Sequence, residues 1–154
     1  MAEVASNDGY LLEHVVAAGI RALGIEPAAN VAEVAVAKGI PTEVEFFGLA
    51  QARRLVEHHG RADLLIANNV LAHTPHLDDF LAGLAVFLGE DGALTLEFPH
   101  LLRLIAENQF DTIYHEHFSY FSFYTVERAF VAHGLRVFDV EELPTHGGSL
   151  RVFA

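Results

Sequence analysis

The sequence predicts an α/β fold, with a mostly parallel sheet covered on both faces. Three observations point to it. Short apolar runs alternate with amphipathic stretches along the chain, the order that βαβ units produce. Within residues 63–68, Leu64-Leu65-Ile66-Ala67 is continuously apolar, as in a strand buried on both faces. Polar clusters follow the strands, at the edge where such sheets bind ligands.

Taken in order, residues 3–5 read as a stub of strand and residues 6–9 as the turn after it. Residues 10–18 form a helix with Leu11, Leu12, Val15 and Val16 on one face, closed by Gly19. Residues 21–25 are a short strand. Residues 28–38 are a helix stopped by Gly39, with Val31, Val34 and Ala35 at helical spacing. Residues 41–46 read as the third strand and 49–59 as the third helix. After the buried strand 63–68, Pro75 marks a turn, and residues 78–88 place Phe80, Leu81, Leu84 and Leu88 on one helical face. A strand over 92–98 stops at Pro99. Two helical turns fit 101–107, and 108–122 is a long polar and aromatic loop. A helix over 123–133 ends at Gly134. The last strands are 135–140 and 149–154. No helix separates them, which allows antiparallel pairing.

Composition excludes several functions. The 154 residues carry a formal net charge of −12, 52% hydrophobic and 19% charged residues, and no cysteine. One domain of this length buries a sizeable core unaided. Without cysteine there is no disulfide scaffold, Cys zinc finger, iron–sulfur site or cysteine nucleophile. An acidic chain with one lysine, Lys38, and scattered arginines is a poor nucleic-acid binder. No apolar run reaches spanning length and no leader opens the chain, so no membrane contact and a cytoplasmic location are expected.

Five clusters can carry chemistry. The turn Ser6-Asn7-Asp8-Gly9 offers backbone amides to a ligand, or is simply an Asx turn with a helix cap. It is not a GxGxxG fingerprint. Glu26, before Pro27 and at the end of the second strand, stands where an acid accepts ribose hydroxyls in nucleotide-binding α/β domains. An ordinary exposed carboxylate is the alternative. Asn68-Asn69 end an apolar strand, where buried amides need partners that a cleft or a loop cap can supply. His73 hangs over the same cleft or is a surface histidine.

The fourth cluster runs from Asp111 to Phe121 and includes Tyr114-His115-Glu116-His117. A metal reading needs His115, Glu116 and His117 as ligands. An acid–base reading needs a histidine that titrates near neutrality, oriented by a carboxylate. Aromatic loop packing is the third option. The fifth cluster, His146-Gly147-Gly148-Ser149-Leu150-Arg151, enters the last strand. Its glycines permit close approach, and Arg151 suits a phosphate; a plain hairpin turn is the alternative.

These segments, in this order, resemble class I S-adenosylmethionine-dependent methyltransferases of the nucleotide-sugar (dTDP-deoxysugar) C-methyltransferase family. The Tyr-His-Glu-His loop together with Asn-Asn…His is the more specific part. The resemblance implies a three-layer Rossmann-like sheet of seven strands with the last antiparallel and the first truncated. It implies S-adenosylmethionine as cofactor. Ser6, Asn7, Asp8 and Gly9 would approach its methionine part, Glu26 its ribose, Phe46 or Phe47 its adenine, and Asn68 and Asn69 its methionine side. The implied substrate is a nucleoside-diphosphate-linked deoxy keto sugar, methylated on carbon through an enolate. His117 would be the base, assisted by Glu116, with His73 and Tyr114 bonding the sugar or the enolate oxygen. His146, Gly147, Gly148, Ser149 and Arg151 would bind substrate, and no metal is needed.

Family members carry a cysteine-rich zinc module before this core and a domain after it. Residues 1–154 are therefore expected to be the core alone, with self-association through apolar surface left by the missing parts. Two other functions stay open: a cofactor-binding domain without turnover, and a metal-dependent enzyme using the His-Glu-His run.

Overall fold

A computed structural model describes all residues, Met1–Ala154. The elements are β1 (Ala2–Val4), α1 (Leu12–Ala17), β2 (Leu23–Ile25), α2 (Ala29–Ala37), β3 (Thr42–Glu43), α3 (Leu49–His59) and β4 (Ala62–Asn68). They continue as α4 (Leu77–Phe87), β5 (Leu88–Pro99), α5 (Leu101–Ala106), α6 (Phe123–Ala132), β6 (Asp139–Leu143) and β7 (Ser149–Phe153). The strands form one sheet in the order β3-β2-β1-β4-β5-β7-β6. Only β7 runs antiparallel, hydrogen-bonded between β5 and β6.

Strand order dictates the layers. The path from β1 to β3 steps outward one way, and the path from β4 to β5 steps the other way. Right-handed crossovers then place α1 and α2 on one face and α3 and α4 on the opposite face. The core follows this division. Leu65, Ala67, Leu94, Leu96, Phe98 and Val152 pack under Leu55 of α3, Leu81, Leu84 and Phe87 of α4, and Phe130 of α6. A smaller cluster of Leu12, Ala22, Ala35 and Ile40 seals α1 and α2. The reversal between β1 and β4 opens a crevice at their carboxyl ends, the ligand position of such sheets.

Three elements differ from the sequence reading. β3 pairs only through Thr42 and Glu43, because the chain leaves the sheet edge there and Val44 and Phe46 face solvent. β5 begins at Leu88, where the expected helix should still run, and shifts register between Ala62 and Leu64 of its neighbour. β6 starts at Asp139 rather than residue 135. Leu135 instead turns into the core, its N–H donating to the Phe130 carbonyl, and pairing with β7 sets the strand register. No helix is long and apolar enough to cross a membrane.

Candidate functional site

Two clefts open along the carboxyl edge of the sheet. The first, about 650 Å³, is bounded by the ends of β1, β2 and β4. The β1–α1 turn is tight: Ala5 and Asn7 have φ of 58° and 51°, and Gly9 has φ 75°. That shape brings the Asn7 N–H to Glu26, whose two carboxylate oxygens accept from Asn7 N (3.1 Å) and Ala28 N (2.9 Å). Glu26 is buried yet lines the cleft. A carboxylate has about four acceptor positions, so both oxygens keep capacity for a ligand's hydroxyls.

Asn68 and Asn69 face the first cleft from the end of β4. Asn69 is left-handed at φ 53°, a conformation asparagine tolerates, and its N–H donates to the Glu97 carbonyl at 2.8 Å. The Oδ1 atoms of both asparagines are buried without a partner. Each such atom costs about 1–3 kcal/mol until a donor reaches it. Phe47 packs edge-on against Phe80 with centroids 5.6 Å apart and also lines the cleft, while Phe46 lies at its exposed rim.

The second cleft, about 440 Å³, adjoins the first and shares Asn69 and His73 with it. His73 ends a short 3₁₀ turn after β4, and its Nδ1 meets the Glu116 carbonyl at 3.0 Å. A carbonyl only accepts, so that bond fixes the proton on Nδ1 and leaves Nε2 of neutral His73 as an acceptor. Packing joins His73 to His117 (4.8 Å between centroids), Tyr114 to His117 (4.4 Å) and His117 to Tyr120 (5.5 Å). The Tyr114 hydroxyl lies 3.3 Å from His117 Nε2. Burial, and then the nearby His73, push the His117 pKa below its ordinary value, while Glu116 opposes them. His117 is therefore neutral near pH 7 and able to accept a proton. The loop is pinned by the Phe118 N–H on the Ala72 carbonyl at 2.8 Å.

Several expected site residues stand elsewhere. The Ser6 hydroxyl is fully buried against Gly24, where a Cβ would come within 2.5 Å of its oxygen. Asp8 pairs with Lys38 at 2.9 Å, and Gly9 packs against Ala35 and Ile40. From that turn, Ala5 and Asn7 line the cleft. Pro27 lines it also. Glu116 approaches His73 through its backbone, and its exposed side chain makes no bond to His117. His146 and Gly147 border the second cleft, whereas Gly148 packs against Arg103 and the Ser149 hydroxyl donates to the Thr145 carbonyl. Arg151 is engaged by buried Glu97 at 2.8 Å and by Glu141 at 3.8 Å, so its charge is already matched. No three His, Asp or Glu side chains converge as metal ligands, which leaves the His115-Glu116-His117 metal reading without a coordination set.

Other residues at these clefts carry no mark in the sequence pattern. Tyr10, Gln51 and Asp79 line the first, and His100 and Gln109 the second. Glu3, in the middle of β1, is buried with Oε2 unpartnered, and burial pushes its pKa up to about 7. A charged residue inside an otherwise apolar strand is the signal that marks it.

Comparison with known proteins agrees with this geometry. The model of a methyltransferase domain matches residues 3–140. C-methyltransferase NovU of Streptomyces niveus is 42% identical over 152 residues, 99% of this chain and 36% of that protein. The chain thus spans about a third of that relative's length. Among solved structures, magnesium protoporphyrin IX methyltransferase of Synechocystis PCC 6803, with bound SAH, superposes with a TM-score of 0.74 at 16% identity, over 99% of this chain and 71% of that one. A SAM-dependent methyltransferase of Anabaena variabilis gives 0.75 at 14% identity, over 99% and 74%. With seven strands, one antiparallel, and a crevice at the reversal of strand order, the chain has the fold of S-adenosylmethionine-dependent methyltransferases and belongs to the methyltransferase domain family.

Proposed function

We propose that residues 1–154 form the catalytic core of an S-adenosylmethionine-dependent C-methyltransferase acting on a nucleoside-diphosphate-linked deoxy keto sugar. The observation that carries this reading is the junction of two clefts at Asn69 and His73, with His117 and Tyr114 lining the second. A donor and an acceptor must meet in line for methyl transfer, and two adjoining clefts provide that arrangement.

The first cleft suits the cofactor. The stranded Asn68 and Asn69 oxygens match an ammonium group, the remaining acceptor positions of Glu26 match adjacent ribose hydroxyls, and Phe47 and Phe46 offer faces to a purine. Glu26 and Asp79 also make the lining acidic, which favours a cationic ligand. Bound there, S-adenosylmethionine supplies an electrophilic methyl group. The NovU relationship supports carbon as the methyl acceptor, and the Tyr114-to-His117 loop motif supports the keto sugar.

The chain's own residues supply the acid–base work. His117 takes the proton from the carbon beside the ketone, and the electron pair left behind passes to the carbonyl oxygen as an enolate. The Tyr114 hydroxyl donates to that oxygen. His73 Nε2 accepts from a sugar hydroxyl. His117 then holds the abstracted proton and releases it to solvent.

The test is transfer of a labelled methyl group from S-adenosylmethionine to a thymidine-diphosphate-linked deoxy keto sugar. Wild type should label a sugar carbon. His117→Ala should be slower by about a hundredfold or more, with S-adenosylhomocysteine affinity unchanged by calorimetry. Equal turnover in the two proteins sinks the assignment.

A further inference from the structure

We infer that His100 is a substrate-binding residue of the second cleft, holding an oxygen of the acceptor through its imidazole. The inference rests on the proposed function for the identity of that acceptor, but its basis is separate. Two buried polar atoms without partners belong to residues that line this cleft and not the first: His117 Nδ1 and His100 Nδ1. They come from different segments, the aromatic loop and the end of β5. Stranded polar atoms from separate elements, gathered at one cavity, point to a polar ligand that completes them.

His100 is the less explained of the two by the fold. It follows Pro99 at the carboxyl end of β5 and is 8% exposed. Its backbone is clamped on two sides. The N–H donates to the Gly148 carbonyl at 2.9 Å, and the residue forms a bridge with Phe121. The backbone of His100 is thus held between the hairpin before β7 and the end of the aromatic loop, and the residue lines the cleft. Its buried Nδ1 finds no partner within the chain. Burial lowers its pKa, so the ring is neutral near pH 7 and carries one donor and one acceptor. A leucine or phenylalanine would fill the same wall without stranding a nitrogen. A preorganised neutral imidazole suits a hydroxyl or carbonyl oxygen of a sugar, and not a phosphate, which needs a cation.

The experiment uses isotope-labelled histidine and nuclear magnetic resonance of the ring nitrogens, with the His100 signals assigned by their loss in His100→Gln. Saturating S-adenosylhomocysteine alone should leave those signals in place. Adding a thymidine-diphosphate-linked deoxy keto sugar should shift them, alongside those of His117. In parallel, His100→Ala should weaken sugar-nucleotide binding about tenfold, with S-adenosylhomocysteine affinity within about twofold. If wild type binds the sugar nucleotide while the His100 ring signals stay fixed, the inference is overturned and the proposed function stands. An equal weakening of both ligands in His100→Ala marks a structural role and also overturns it. If wild type shows no sugar-nucleotide binding, the proposed substrate falls, and the role given to His100 falls with it.

Discussion

The two clefts share a rim but are built by different means. In the first, polar groups sit on strand ends and are fixed by backbone bonds: Glu26 is gripped by two N–H groups, and Asn69 is held by the Glu97 carbonyl. In the second, His73, Tyr114, His117 and Tyr120 are positioned by ring packing and by bonds made within a loop, among them His73 Nδ1 to the Glu116 carbonyl and the Tyr114 N–H to the Tyr120 hydroxyl. The sheet dictates the first site, so with the cofactor proposed there one fold can retain it. A loop and a hairpin dictate the second, so the acceptor proposed there can change while the sheet does not.

That contrast is breakable. The largest effect is expected in the loop-built cleft. Tyr114→Phe removes the donor assigned to the enolate oxygen and should lower turnover about a hundredfold, with cofactor affinity unchanged. A loss of only a few-fold would mean that the hydroxyl does no more than steady His117. Next comes the sheet-built cleft. Glu26→Ala removes both the clamp and the assigned hydroxyl contacts, and should weaken S-adenosylhomocysteine about thirtyfold by calorimetry. Sugar-nucleotide affinity should hardly move. Parallel losses for both ligands would show that the clefts are not separable.

Buried carboxylates on the sheet sharpen the comparison further. Glu26 has two N–H partners, Glu97 has Arg151 and Thr145, and Glu3 leaves Oε2 without any. Burial accordingly raises the Glu3 pKa to about 7. Its folded pKa lies above the unfolded value. The associated stability is fully present below the ordinary carboxylate range and is lost as pH rises through about 7. Glu3→Gln should therefore stabilise the fold by about 1–2 kcal/mol near pH 8 and change little near pH 4, by chemical denaturation. A uniform effect across that range would show that the carboxylate is compensated.

Much of the sheet-built side was legible in the sequence. The apolar strand before Asn68-Asn69 and the acid at the end of the second strand are local patterns, and α3 occupies the residues expected of the third helix, Leu49–His59. The loop-built side was legible only as a dense cluster of side chains. Partners within it are tertiary facts. Glu116 was expected to orient His117 by its carboxylate, but the loop turns so that its carbonyl meets His73. Arg151 read as a phosphate contact because Glu97 stands 54 residues away, across the β5–β7 ladder. His100 read as nothing at all, since a histidine after Pro99 looks like any helix entry until its ring is seen without partners.

The smallest expected effect bears on how the two clefts are coupled at their shared rim. His73 borders both, and it is the second cause, after burial, of the lowered His117 pKa. With His117 as the proposed base, turnover requires it neutral, so activity should be flat above that pKa and fall as pH drops through it, on the acid side of the ordinary histidine value. His73→Gln removes that neighbouring imidazole but keeps an amide able to reach the Glu116 carbonyl. The acid limb of the turnover profile should then move upward, toward the ordinary value, yet stop short of it because burial remains. Turnover at neutral pH should fall only a few-fold, the cost of one sugar contact. An unmoved limb would mean that burial alone sets the base, and that the rim joins the clefts in space without coupling their chemistry.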